Sequence, residues 1–155
     1  MITELAAYPD HKDKFYFVNV TTGGYGVTAA KTNTNLSYLC GLLNSQLLDT
    51  YLKQVSTNFR GGYFAANKQY IEQLPIRTIN FSNSQDKARH DRMVQLVDQM
   101  LEAKKQLAAA RSEGDQNFYE SKCATLDRQI DSLVYELYDL TPEEVAIVEG
   151  TDDTR

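Results

Sequence analysis

Between Ser56 and Ile76 the chain gathers residue types that suit contact with a polyanion: Ser-Thr-Asn-Phe-Arg-Gly-Gly-Tyr-Phe-Ala-Ala-Asn-Lys-Gln-Tyr-Ile-Glu-Gln-Leu-Pro-Ile. Arg60 and Lys68 carry the charge that phosphates attract. Gly61 and Gly62 permit positive φ angles and let a ligand's backbone come close. Tyr63, Phe64 and Tyr70 offer flat faces for bases or sugars. Asn67 and Gln69 add amides that suit adenine, as arginine suits guanine. The same residues also have a purely structural reading, with Gly-Gly as a tight turn, Phe59 and Phe64 in a small core and the cations solvated. No short pattern within the segment decides between the two.

Other chemistries are poorly provided for. Gly24-Tyr25-Gly26 follows a run that reads as a strand, Phe15 to Thr21. A loop that holds a nucleotide or S-adenosylmethionine opens directly into a helix, with an acidic residue at the next strand end. Here the next helical pattern waits until about Leu36 and no such strand follows, so Thr22 to Gly26 is expected to be a hairpin turn. A cofactor-binding domain using Gly23 to Gly26 is the weakest reading of the chain. Glu102-Ala103-Lys104 and Glu120-Ser121-Lys122 have the spacing of a Mg²⁺-dependent nuclease, yet both lie on helical patterns where exposed charges are expected. His11 and His90 have no partner at ligand spacing and are expected at the surface. Cys40 and Cys123 lack a CxxC partner or a nearby histidine, which argues against a disulfide framework or zinc site and fits a reducing, cytoplasmic setting. Neither a catalytic nor a metal-binding residue is assigned.

The elements that would carry the loop follow from pattern. The 155 residues amount to one domain, or a small one with an appendage, with ordinary apolar and charged content. No apolar run is long enough to span a bilayer, and Met-Ile-Thr-Glu-Leu lacks the start of a signal peptide. The net charge of −5 argues against a simple nucleic-acid binder, but it is unevenly spread. Residues 1–78 hold seven Lys or Arg against five Asp or Glu, a balance of +2; residues 79–155 hold nine against sixteen, a balance of −7. A polyanion would meet the first half, with the acidic half as spacer, support or protein-binding surface.

Asn35 is a good N-cap, and Leu36, Leu39, Cys40, Leu43, Leu47, Tyr51 and Val55 recur behind it at helical spacing. The Asn44-Ser45 pair either caps a second helix or marks a kink. Gln69 to Gln73 reads as a short turn, and Pro75 makes Ile76 to Ile79 extended. The polar stretch 80–87 reads as a linker. Beyond it Met93, Leu96, Met100, Ala103, Leu107 and Ala110 step by three and four, as do Tyr119, Cys123, Leu126, Ile130, Leu133, Leu137 and Leu140. Two such stripes with Gly114 between them describe an antiparallel hairpin wound as a coiled coil. Thr141-Pro142-Glu143-Glu144 has the form of a helix start, and Gly150 to Arg155 of a frayed tail. The expected fold is therefore α+β. A small mixed part with a few short strands and a helix occupies 1–79, a linker 80–87, a helical hairpin with a short last helix 88–149, and a tail 150–155.

The order Tyr38-Leu39-Cys40-Gly41-Leu42-Leu43-Asn44-Ser45, then Phe59-Arg60-Gly61-Gly62-Tyr63-Phe64, then Asn67 through Leu74-Pro75-Ile76 resembles the end of a TaqI-like C-terminal specificity domain. The continuation, His90-Asp91-Arg92-Met93-Val94 through Leu133 to Glu144, is similar to that family's closing helices. Such domains stand at the C-terminus of adenine-specific DNA methyltransferases, including fused restriction and modification enzymes. The resemblance implies a target-recognition module for double-stranded DNA, with Arg60, Gly61, Gly62, Tyr63, Asn67, Lys68 and Gln69 at the DNA. It implies that S-adenosylmethionine and an Asn-Pro-Pro-Tyr type motif belong to an upstream methyltransferase domain or subunit. None of the three prolines here has a proline neighbour. The chain is thus expected to be a C-terminal fragment or separated subunit that does not methylate DNA alone. The rival reading is a dimerisation or protein-interaction module, in which the hairpin is the working surface and the glycine loop is structural.

Overall fold

A computed structural model describes residues 4–11, 25–27 and 35–150. The strand expected at Phe15 to Thr21, most of the turn behind it and the tail 151–155 lie outside the described residues. The chain divides into two units, residues 1–76 and 77–155.

In the first unit, α1 (Leu36–Leu43) and α2 (Gln46–Val55) arise as the pattern foretells. Asn35 caps α1 by accepting hydrogen bonds from the N–H groups of Ser37 and Tyr38. Of the two readings of Asn44-Ser45, the cap is correct: Ser45 is the N-cap of α2, and its hydroxyl also donates to the Leu42 carbonyl at 2.7 Å. The most deeply covered side chains of the core here are Tyr38, Leu42, Leu48 and Leu52. Each such leucine contributes about 1.5–3 kcal/mol relative to an exposed one.

Residues 5–11 lie along this helix pair, running opposite to it. The Leu5 N–H donates to Asp49 Oδ1 at 2.7 Å, the Ala7 N–H to Asn44 Oδ1 at 2.9 Å, and Ser37 Oγ meets His11 Nε2 at 3.3 Å. Asn44 also donates through Nδ2 to the Ala7 carbonyl at 2.9 Å, so one amide satisfies both backbone groups of one residue, as a neighbouring strand would. Cys40 Sγ donates weakly to the same carbonyl. Burial pushes its thiol up to about 11, with the Asn44 hydrogen bond acting in the opposite sense.

β1 (Asn58–Phe59) and β2 (Tyr63–Phe64) follow, paired antiparallel with Asn58 opposite Phe64 and Phe59 opposite Tyr63. These are the strands among the described residues, so the described architecture is mainly helical. α3 (Lys68–Ile71) is the short turn expected at Gln69 to Gln73, placed one residue earlier and helical. Residues 75–80 carry no regular secondary structure.

The second unit is built on α4 (Ser84–Ala109) and α5 (Glu113–Leu137). Arg92 reaches Gln129 and Arg89 reaches Glu136, pairings that place the two helices antiparallel. Of the two stripes read from spacing, Met93, Leu96, Ala103, Cys123, Leu126, Ile130, Leu133 and Leu137 are buried, whereas Met100, Leu107, Ala110, Tyr119 and Leu140 are part-covered. Three local expectations need correction. α4 begins at Ser84, inside the polar stretch 80–87, because Asn83 caps it by accepting from Gln85 and Asp86 N–H. Gly114 is not the turn between the helices; it stands within α5, whose N-cap is Ser112, and residues 110–112 make the turn. His90 is 8% exposed and not a surface residue: it packs edge-on against Phe81 and meets Asp91 Oδ1 through Nδ1 at 3.0 Å.

The polar stretch before α4 is strapped to the open end of the hairpin. The Arg77 N–H donates to the Tyr138 hydroxyl at 3.1 Å and its Nε donates to the Leu137 carbonyl at 2.9 Å. Buried Asp86 accepts from the Asn80 N–H and lies 3.6 Å from the Arg77 guanidinium. α5 ends at Leu137 with Tyr138 as its C-cap, and Asp139 beyond it takes a left-handed φ of 53°, a region that Asp enters more readily than most residues. α6 (Pro142–Glu149) opens with the expected capping box between Thr141 and Glu144. No helix among the described residues is long and apolar enough to cross a membrane.

Candidate nucleic-acid interface

The ribbon β1–β2 closes through Arg60, Gly61 and Gly62. Both glycines have positive φ, +88° and +76°, a geometry that L side chains rarely adopt, so the sequence must place glycines or their few substitutes there. A Cβ at Gly61 would touch the Tyr63 ring at 3.5 Å, whereas one at Gly62 would meet nothing within 4 Å. The Gly61 backbone thus lies against one edge of Tyr63, and the Gly62 face of the turn stands open. Arg60, Gly61 and Gly62 are exposed, and Tyr63 is 45% exposed.

Below the turn the ribbon is tied at its base. The Ala65 N–H donates to the Thr57 carbonyl at 3.1 Å, and Ser56 Oγ donates to the Ala65 carbonyl at 2.6 Å. The Thr57 and Tyr70 hydroxyls share a hydrogen bond, which ties α3 to the residue before β1. Lys68 and Gln69 are exposed on α3. Asn67 occupies the N-cap position without making a side-chain cap, and its Oδ1 is covered with no hydrogen-bond partner among the described residues. An acceptor left so costs about 1–3 kcal/mol.

Of the residues singled out from sequence, Arg60, Gly61, Gly62 and Tyr63 share one turn, and Asn67, Lys68 and Gln69 share the start of α3. Phe64 is part-covered, and the expectation for the Phe59 side chain falls outside what is described. Sequence reasoning missed Lys53. It lies on α2, ion-paired with Asp49 at 2.5 Å, and its Nζ stands 5.9 Å from the centroid of the Phe64 ring. The i, i+4 spacing of Asp49 and Lys53 is legible in sequence; the ring is not. Among the described residues no three His, Cys, Asp or Glu are grouped so as to hold a metal ion. What the turn offers chemically is one guanidinium, one ring with a phenol edge and the open Cα of Gly62.

Residues 6–76 match the family model described as the TaqI-like C-terminal specificity domain, and the matched segment ends with the first unit, at Ile76. No curated protein and no solved structure matches.

Proposed function

We propose, from the match of residues 6–76 to the TaqI-like C-terminal specificity domain, that the chain is the DNA-recognition module of a restriction-modification adenine methyltransferase. It is not catalytic by itself. Methyl transfer and S-adenosylmethionine belong to an upstream domain or subunit, which this module would supply with correctly held double-stranded DNA. The observation that supports this most is the exposed turn Arg60-Gly61-Gly62-Tyr63 inside the matched segment. Arg60 supplies charge or a bidentate contact to guanine, Tyr63 a stacking face, and Gly62 a point of close backbone approach. Lys68 and Gln69, with Asn67, add a second contact from α3. The hairpin α4–α5, wound as a coiled coil, braces the module against the methyltransferase domain.

Duplex affinity of the full chain measured across salt concentrations tests this. Affinity should fall steeply with salt, and Arg60→Ala should lower it about tenfold, with a log–log salt slope shallower by about 0.9 if the contact is to phosphate. Equal affinity for Arg60→Ala and the parent removes the turn from the site.

A further inference from the structure

A ribbon with two residues per strand has no stability of its own, so its direction is set by whatever holds it. The hydrogen bonds at its base fix the register but leave open how the ribbon lies against α2. There the one charged group over a ribbon side chain, among the described residues, is Lys53. Its ammonium is 5.9 Å from the Phe64 ring centroid, within the range of a cation–π attraction. The same ammonium pairs with Asp49 Oδ2, while Asp49 Oδ1 accepts the Leu5 N–H at 2.7 Å. A continuous set of contacts therefore runs from residues 5–11 through α2 to the ribbon: Leu5, Asp49, Lys53, Phe64. Successive strand residues point to opposite faces. With Phe64 turned to Lys53, Tyr63 is turned away from it, in keeping with its 45% exposure.

We infer that Lys53 is a positioning residue for DNA recognition: it grips the ribbon by Phe64, so that Arg60 and Tyr63 face outward, and does not itself touch DNA. This rests on the reading of the turn as a DNA contact. A direct phosphate contact by Lys53 is disfavoured by its neighbour. Drawing the ammonium to a phosphate would leave the Asp49 carboxylate without its cation one helical turn away, repelling the same phosphate.

The test compares duplex binding by the full chain as parent, Lys53→Met, Lys53→Arg and Arg60→Ala over a range of salt. Lys53→Met should keep the circular dichroism of the parent and lose about threefold to tenfold in affinity at every salt concentration, with the parent's slope. Lys53→Arg, which can keep both the ring contact and the ion pair, should restore binding. Should Lys53→Met fail to fold, Phe64→Leu serves, with the same loss and unchanged slope expected. Parent-like affinity in Lys53→Met, or in Phe64→Leu where that variant is used, overturns the inference, and so does a slope shallower by about 0.9 in Lys53→Met, which makes Lys53 a phosphate ligand. A parent chain that shows no salt-dependent binding sinks the DNA reading itself.

Discussion

At Gly62 two demands on a single residue can be separated. Its φ of +76° requires glycine or one of the few residues that tolerate the left-handed region, while the absence of any atom within 4 Å leaves room for a side chain. Asn meets the first demand and fills the second. Gly62→Asn should therefore leave urea-denaturation stability within about 1 kcal/mol of the parent, whereas Gly62→Val should cost about 1–3 kcal/mol through backbone strain. With the turn at the DNA as proposed, duplex affinity of Gly62→Asn should nevertheless fall, because the added amide fills the open face of the turn. Unchanged affinity would mean that the glycine serves the turn alone. Lys53 shows the reverse case, a residue whose local pattern suggests only an i, i+4 helix pair and whose ring partner is found eleven positions on.

Among the elements, the helices obey local rules closely. Asn35, Ser45, Asn83, Ser112 and Thr141 each stand at an N-cap and accept a backbone N–H. The two places where pattern misled, the start of α4 and the site of the hairpin turn, have the same cause. Composition marked 80–87 as linker and Gly114 as breaker, but a capping side chain outweighs either signal: Asn83 starts α4 within the polar stretch, and Ser112 starts α5 two residues before the glycine. Gly114 has no left-handed φ, and a Cβ there would meet only Ser112 Oγ, at 4.0 Å. Gly114→Ala should thus stabilise the chain by about 0.5–1 kcal/mol, seen as a higher midpoint in thermal unfolding. A lower midpoint would show that the glycine is needed for the turn after all.

Over the molecule as a whole, the two units carry different alkaline limits. Cys40, in the first, keeps its proton to about 11 when folded, against an ordinary value of 9.0. Burial drives this, so its contribution to stability is complete below pH 9 and is lost as pH rises towards 11. Tyr135, in the second unit, is pushed from 10.0 up to about 12, first by burial and then by the carboxylates of Asp131 and Glu149, all acting in one direction. Its contribution is lost between about pH 10 and 12 by the same linkage. Denaturant unfolding against pH should accordingly fall from pH 9 upward, and Cys40→Ala should flatten the first part of that fall. A profile for Cys40→Ala that parallels the parent's between pH 9 and 11 would remove the thiol as its source. The matched family segment coincides with the end of the first unit, which accords with the split seen in charge between the two parts of the sequence.

Local chemistry alone determined the caps, the helical stripes and the glycine turn, because each depends on residues within a few positions of one another, and the linear order of the motifs carried the resemblance to a specificity domain. Folding decided what depends on distance along the chain. Asn44 and Asp49 hold residues 5 and 7 across 37 to 44 positions, His90 is covered by Phe81, and Lys53 meets Phe64. Those pairings come from how helices and ribbon pack, and periodicity carries no record of which polar side chain will face which backbone group once apolar faces have been buried.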